Sequence, residues 1–407
     1  MNLNRRAFLG STLASGLLPR LARGAQTQPK LPVAGIATTY GPNNHADVIL
    51  SKIVEGYAHD GGEGPNLKLT SVFVDQQHPK DLSRPLAEKH GFRLARSIDE
   101  ALTLGADKLA VAGVVIVGEH GDYPLDPETG QKMYPRRRLF DAVIKTFRRV
   151  GQVVPVFSDK HLAYNWEDAK HMVDTARAMK IPLMAGSSLP VAWRVPPLEL
   201  PRGCEINEAL AIGYGSLEAY GFHAIEMLQC MVERRRGGET GVKRIEAVKG
   251  EAIWEAGRAG RWSRRLFDAA LAAAPPYRQG EPEKLLRDGA AFYLIDYRDG
   301  LRATVAMALG AANAFSFAAD VKGQDKPNAT LFALQESRPF GHFVYLLKAI
   351  EHLVRTGKPA YPVERTLLST GIINAAMRGI VIGKPIESPY LDVAYQPVDW
   401  PFAPGKP

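Results

Sequence analysis

VPVFSDKHLAYNWEDAKHMVDTARAMKIPLMAG, residues 154–186, contains two short apolar runs with a helical stretch between them. VPVFSD (154–159) and IPLMAG (181–186) have the composition of strands buried on both faces. Between them, WEDAKHMVDTARAMK (166–180) sets Trp166, Ala169, Met172, Val173 and Ala176 at helical spacing. Strands joined through a helix pair parallel, since a tight turn serves only antiparallel neighbours. The polar Asp159-Lys160-His161 then falls at a strand's C-terminal end, the edge where parallel sheets bind ligands.

The alternation continues upstream. LPVAGIATTY (31–40), LKLTSVFVD (67–75) and KLAVAGVVIVG (108–118) read as strands, and HADVILSKIVEGYAHD (45–60) and RRRLFDAVIKTFRRV (136–150) as helices. Two short helices lie between them. SRPLAEKHG ends at Gly91, and SIDEALTLG opens on Ser97 with Glu100 three residues on, a capping box. This predicts a doubly wound, Rossmann-like parallel sheet over 31–188.

After Ser188 the rhythm changes. A proline-rich loop (190–201) precedes a long helix, roughly 215–235. Then come strand-like runs at 242–257, 290–300, 301–310, 315–323 and 329–335, joined by glycine-containing turns that predict antiparallel pairing. Helices at 342–357 and 365–383 follow. The expected second domain is therefore α+β with an open antiparallel sheet, over 189–390, followed by a tail at 391–407.

The chain has 407 residues, 45% hydrophobic and 23% charged, with cysteine only at Cys204 and Cys230. That excludes a disordered chain and a disulfide scaffold, and two free thiols are expected. Residues 1–24, MNLNRRAFLGSTLASGLLPRLARG, place Arg5-Arg6 before a mildly apolar run too short to span a bilayer. The Arg-Arg-x-Phe-Leu-Gly order resembles a twin-arginine signal, which implies export of a folded protein to the periplasm or beyond. These residues hold four arginines and no acid, so without them the net charge of +8 falls to +4. That modest excess gives no reason to expect a nucleic-acid or membrane partner. Arg136–Arg138 and Arg234–Arg236 read as solvated helix ends.

Three segments in order resemble the glucose-fructose oxidoreductase / inositol dehydrogenase / MocA family over nearly the whole chain after residue 24. They are 154–186, GFHAIEMLQCMV (221–232) and HLVRTGKPAYPVERTLLSTGIINAA (352–376). The resemblance implies a nicotinamide cofactor, NAD or NADP, a sugar- or cyclitol-like substrate, and a homo-oligomer. It also implies that Lys160 lies between cofactor and substrate and that His223 is the general base on the reacting hydroxyl.

The departures are specific. The family's Gly-x-Gly-x-x-Gly turn is replaced by GIATTYGPNNHAD (35–47), which keeps only Gly35 and Gly41. Thr38, Thr39 and Asn43 remain as phosphate donors. Asp75, at the end of the second strand, either accepts from the adenosine ribose, as the resemblance implies, or caps the next turn. The Glu-Lys-Pro motif becomes Asp159-Lys160-His161. The aspartate expected four residues before His223 is Ala219, leaving Glu218 or Tyr220 to assist, with Glu226 one turn on.

Glu119, His120, Asp122 and Tyr123 follow a strand as a dense polar cluster. They read as polyol contacts. A metal site assembled with His161 and His223, or a loop packed on itself, are the alternatives. Trp193 and Arg194 either meet the substrate, by stacking and hydrogen bonding, or anchor the domain linker. An exported oxidoreductase is the leading expectation. A non-redox lyase, hydrolase, epimerase or sugar-binding protein is the alternative.

Overall fold

The computed structural model describes residues 29–286 and 288–407, so the Arg5-Arg6 segment lies outside the described residues. Strands β1 (Leu31–Ala37), β2 (Leu67–Val74), β3 (Arg93–Leu94), β4 (Gly113–Val117), β5 (Val156–Asp159) and β6 (Leu183–Gly186) form one sheet. Their order is β3-β2-β1-β4-β5-β6, and every neighbouring pair is parallel. The order reverses between β1 and β4, the switch point at which doubly wound sheets open a ligand crevice. The connections are a π-helical turn (Asp47–Ser51) running into α1 (Lys52–Glu55), then α2 (Ser83–His90), α3 (Ile98–Thr103), α4 (Arg136–Val150) and α5 (Trp166–Ala178). Ser97 caps α3 by accepting the Glu100 amide, as its sequence predicts.

The second sheet holds β7 (Trp193–Val195), β8 (Ile206–Gly213), β9 (Val242–Lys249), β10 (Ala291–Tyr297), β11 (Arg302–Met307), β12 (Phe315–Val321), β13 (Asn328–Ala333) and β14 (Ile386–Glu387). Its order is β14-β9-β10-β11-β8-β12-β13-β7. β8 and β11 pair parallel while the other pairs are antiparallel, so the sheet is mixed. Its helices are α6 (Ala219–Val232), α7 (Glu251–Arg258), α8 (Arg264–Ala273), α9 (Pro282–Leu285), α10 (His342–Thr356) and α11 (Val363–Ile382). The run read as one strand over 242–257 breaks at Gly250, whose φ of 57° suits glycine, and its second half is α7.

Period-two alternation sorts the first sheet's side chains. Ala34, Ile36, Val114, Ile116 and Val156 face α3, α4 and α5. Val33, Ala37, Val115, Val117 and Phe157 face the Asp47–Glu55 helix and α10, which returns from the C-terminal part of the chain. The second sheet is covered on both faces, by α6 and α11 on one side and α7 and α8 on the other. Each arginine triplet turns one member inward, correcting the reading of both as solvated. Arg136 is fully buried, and Arg235 is buried on Glu239 (3.0 Å). Cys204 and Cys230 are free. Among the described residues no helix is long and apolar enough to cross a membrane.

Candidate functional site

The C-terminal ends of β1, β4, β5 and β6 open onto a cavity of about 340 Å³, closed from the other side by α6, β12 and the start of α10. Its walls carry Asn43, His45, Glu119, His120, Lys160, Tyr214, Tyr220, His223 and Glu336. Four of the seven described non-glycine residues with left-handed φ line it: Asn43 (61°), His120 (68°), Lys160 (65°) and Phe340 (54°). Each costs on the order of 1 kcal/mol, and such strain gathers where a side chain must be aimed.

The sheet wall is ionic. Lys160 Nζ lies 2.9 Å from Glu119 Oε1, both side chains buried. Burial would push the Glu119 carboxyl up, but Lys160, then His45 and His120, hold it well below the usual carboxylate range. His45 Nδ1 donates to the buried Asp159 carboxylate at 2.6 Å and stands 3.6 Å from Glu119 Oε2. That Oε2 is buried without a hydrogen-bond partner. Burial, first, holds His120 below its ordinary value.

The α6 wall is neutral. His223 Nδ1 lies 2.5 Å from Ser187 Oγ, which also accepts the Leu189 amide at 3.0 Å. Among the described residues Nδ1 is the one acceptor that hydroxyl meets, which assigns Ser187 as the donor and the His223 hydrogen to Nε2. Burial, reinforced by Lys160 and His45, holds the ring well below its ordinary pKa. Glu226 is fully buried, and burial raises it to about 7. Tyr220 packs on Phe315, and the Tyr214 hydroxyl donates to Glu336.

The sequence-predicted residues divide. Lys160, Glu119, His120, His223, Asn43 and Tyr220 share this cavity. Glu218 does not assist His223, because it accepts the Lys132 amide at 2.9 Å and faces His161. Trp193 and Arg194 lie outside the cavity. Trp193 packs on Tyr345, and the Arg194 guanidinium donates to the carbonyls of Leu198 and Pro190. His161 is buried against Arg136 and Phe222, away from the His45–Glu119–His120 group. Tyr123 stands at the β2 edge, where its hydroxyl donates to Asp75 at 2.7 Å, and Arg138 pairs with the same carboxylate. Sequence reading missed His45, Ser187, Tyr214 and Glu336. Only His45, at a helix start after the first strand, gave a local signal.

A second cavity of about 520 Å³ lies beside the first and shares Asn43 and His120 with it. Thr39, Asn44, Gln76, Gln77, His78 and Asp122 line it, at the ends of β1, β2 and β4. A dinucleotide would span the two cavities. Thr38 is committed internally, its hydroxyl donating to the Glu119 carbonyl at 2.6 Å. At the helix start, Asp47 accepts the Asn43 amide at 2.9 Å and pairs with Arg338. A pyrophosphate lying in the second cavity would meet the side chains of Thr39, Asn43 and His78 rather than free amides on glycines. The polar lining of the two adjoining cavities suits such a group, with a phosphate contact that lacks the glycine turn.

No protein-family model matches the chain, and no curated protein matches it in sequence. Solved structures share its fold. GenD2 from gentamicin A biosynthesis, in complex with NAD, is 14% identical with a TM-score of 0.56, over 91% of this chain and 99% of that one. A probable dehydrogenase from Thermotoga maritima is 13% identical, with a TM-score of 0.54, over 89% and 100%. An oxidoreductase from Agrobacterium radiobacter, in complex with NAD+, L-tartaric acid and magnesium, is 13% identical with a TM-score of 0.54, over 88% and 98%. At such identity the likeness establishes the fold.

Proposed function

We propose that this chain is an oxidoreductase that moves hydride between a nicotinamide dinucleotide and a sugar, cyclitol or related polyhydroxy compound. The observation that carries the reading is the pair of adjoining cavities at the strand-order reversal, the inner one walled by Lys160 and His223. Neighbours of the same fold solved with NAD support it.

Bound nicotinamide supplies the hydride acceptor or donor. The chain does the rest. The Lys160 ammonium and the His223 Nε2–H offer donors to the oxygen of the reacting carbon, where negative charge develops. Tyr214, Tyr220 and Glu336 supply hydroxyl and carboxylate contacts for a polyol, and Phe315 and Phe343 give it apolar faces. The resting His223 tautomer suits a donor. The base role implied by the resemblance needs the other tautomer, with Nε2 free to accept.

Titrating the purified protein with NAD+, NADH, NADP+ and NADPH by calorimetry, and assaying denatured protein for released nucleotide, tests the reading. At least one of the four is expected to bind or be released. A protein that neither binds nor releases any of them overturns it. A second reading, sugar chemistry without nucleotide, is favoured by the Asp47 carboxylate at the helix start. It is read out by sugar binding in nucleotide-free protein. Export by the twin-arginine route is proposed from residues 1–24 alone. Self-association, which the resemblance implies, would use a surface other than the sheet face that α7 and α8 cover.

A further inference from the structure

Sequence reading of the 119–123 cluster as polyol contacts leaves one arrangement unexplained. His45, Glu119 and His120 each bring a potential ligand atom within 4.8 Å of the other two. They come from two places, the start of the helix after β1 and the turn after β4. The turn is strained so that His120, at a φ of 68°, aims inward beside Glu119. All three line the inner cavity.

Two further observations point to a ligand. Glu119 Oε2 is buried and unpartnered, while Oε1 is held by Lys160 at 2.9 Å, so the free oxygen is the one on the His45 side. A buried carboxylate oxygen left without a donor costs several kcal/mol unless a cation or proton reaches it. In addition, His45 Nδ1 is committed to Asp159 at 2.6 Å. A carboxylate behind one ring nitrogen is how metal-bound histidines are held from outside, with the other nitrogen as the ligand.

We propose that His45, Glu119 and His120 form a binding site for a divalent first-row cation of the zinc type, with Asp159 as the outer support of His45. Two imidazoles and one carboxylate select such a cation over magnesium or calcium, which prefer all-oxygen sets. Three protein ligands leave positions open toward the cavity, where a hydroxyl or carbonyl oxygen of the substrate can reach the ion and be polarised. The Lys160 ammonium, held on the other oxygen of the same carboxylate, repels the ion and lowers its affinity. The inference concerns the same cavity as the proposed oxidoreductase but does not depend on nucleotide binding.

The test uses the full chain, stripped with chelator and free of nucleotide, titrated with zinc alone by calorimetry. One zinc per chain is expected. Cobalt is expected to give the visible absorption of a four- or five-coordinate site, and magnesium no binding at comparable concentration. His45→Ala and His120→Ala should each weaken zinc at least 100-fold, and Asp159→Asn 10- to 100-fold. Lys160→Met should tighten it at least tenfold by removing the repelling ammonium. His223→Gln, outside the ligand set, should leave affinity within twofold. Circular dichroism checks the fold of each variant. If one ligand variant unfolds, the other and the cobalt spectrum of the parent decide. No zinc binding, or binding equally strong in both ligand variants, overturns the site. Nucleotide titration of metal-free protein reports on the oxidoreductase reading separately.

Discussion

Two buried glutamates, Glu119 lining the inner cavity and Glu226 behind it on α6, are treated by the structure in opposite ways. Glu119, on the sheet wall, has Lys160 at 2.9 Å and is held ionised well below the ordinary range. Glu226, on α6, is as deeply buried, has an unpartnered Oε1, and is raised to about 7. Burial pushes both upward, and one ammonium within contact distance reverses the outcome. The sheet wall is therefore a place for fixed charge, and the α6 wall for neutral donors with a group poised to titrate near neutrality.

The sharpest way to break this contrast is Lys160→Met. It removes the donor nearest the reacting oxygen, so kcat/KM should fall by about 10²–10³ in a nicotinamide-coupled assay. It also leaves Glu119 buried without its cation, which should cost about 3–5 kcal/mol in urea unfolding. Glu119→Gln added to Lys160→Met should recover most of that stability and none of the activity. If stability is unchanged in Lys160→Met, the ionic wall is not what holds this edge together.

The Glu226 side is broken by pH. Its folded value of about 7 lies above the ordinary carboxylate value near 4.5, so the folded state binds more protons between the two. Its contribution to stability is therefore lost as pH rises from about 4.5 to about 7. Above 7 the penalty is about 3 kcal/mol, at 1.36 kcal/mol per pH unit of difference. Glu119 acts the other way: its contribution is present above the ordinary carboxylate value and disappears as acid takes its proton. Glu226→Gln should flatten the fall between pH 4.5 and 7 and raise unfolding free energy at pH 8. An unchanged pH profile would place the titrating group elsewhere.

The same division explains what the sequence disclosed. Strand and helix order followed from local periodicity, which is why the first sheet, its C-terminal edge and the cluster at Lys160 and Glu119 were legible. Ser187 and Glu336 were not, because their roles depend on meeting His223 and Tyr214 across 36 and 122 residues. Trp193 and Arg194 left two readings open, and their packing favours the anchor. An aromatic–arginine pair after a strand looks like a ligand platform until the edge strand β7 is seen to bury it. Gly250 hid α7, since a strand and an amphipathic helix share apolar content and only the glycine marks the change.

A smaller effect sharpens the α6 wall. Ser187→Ala removes the proton given to His223 Nδ1 and leaves that nitrogen buried without a partner, at about 1–3 kcal/mol. The ring is then free to carry its hydrogen on either nitrogen. Nitrogen-resolved NMR should show Nε2–H in the parent and mixed tautomers in Ser187→Ala, with activity lowered about tenfold. A parent ring carrying its hydrogen on Nδ1 would restore His223 as the acceptor and reverse its role.

The smallest effect is expected next to the outer cavity, where Asp75, adjacent in sequence to the cavity-lining Gln76, is shared between Tyr123 and a half-exposed Arg138. Arg138→Gln should change stability by less than about 1 kcal/mol, since pairs with one exposed partner contribute little. Its consequence for nucleotide choice is larger than for folding. Freed from Arg138, the carboxylate can accept from a ribose hydroxyl and repels a 2′-phosphate, so NAD+ should bind more tightly and NADP+ more weakly. Equal affinities in parent and variant would make Asp75 an anchor for the turn after β2 and move ribose recognition to Gln77 and His78, which line the outer cavity.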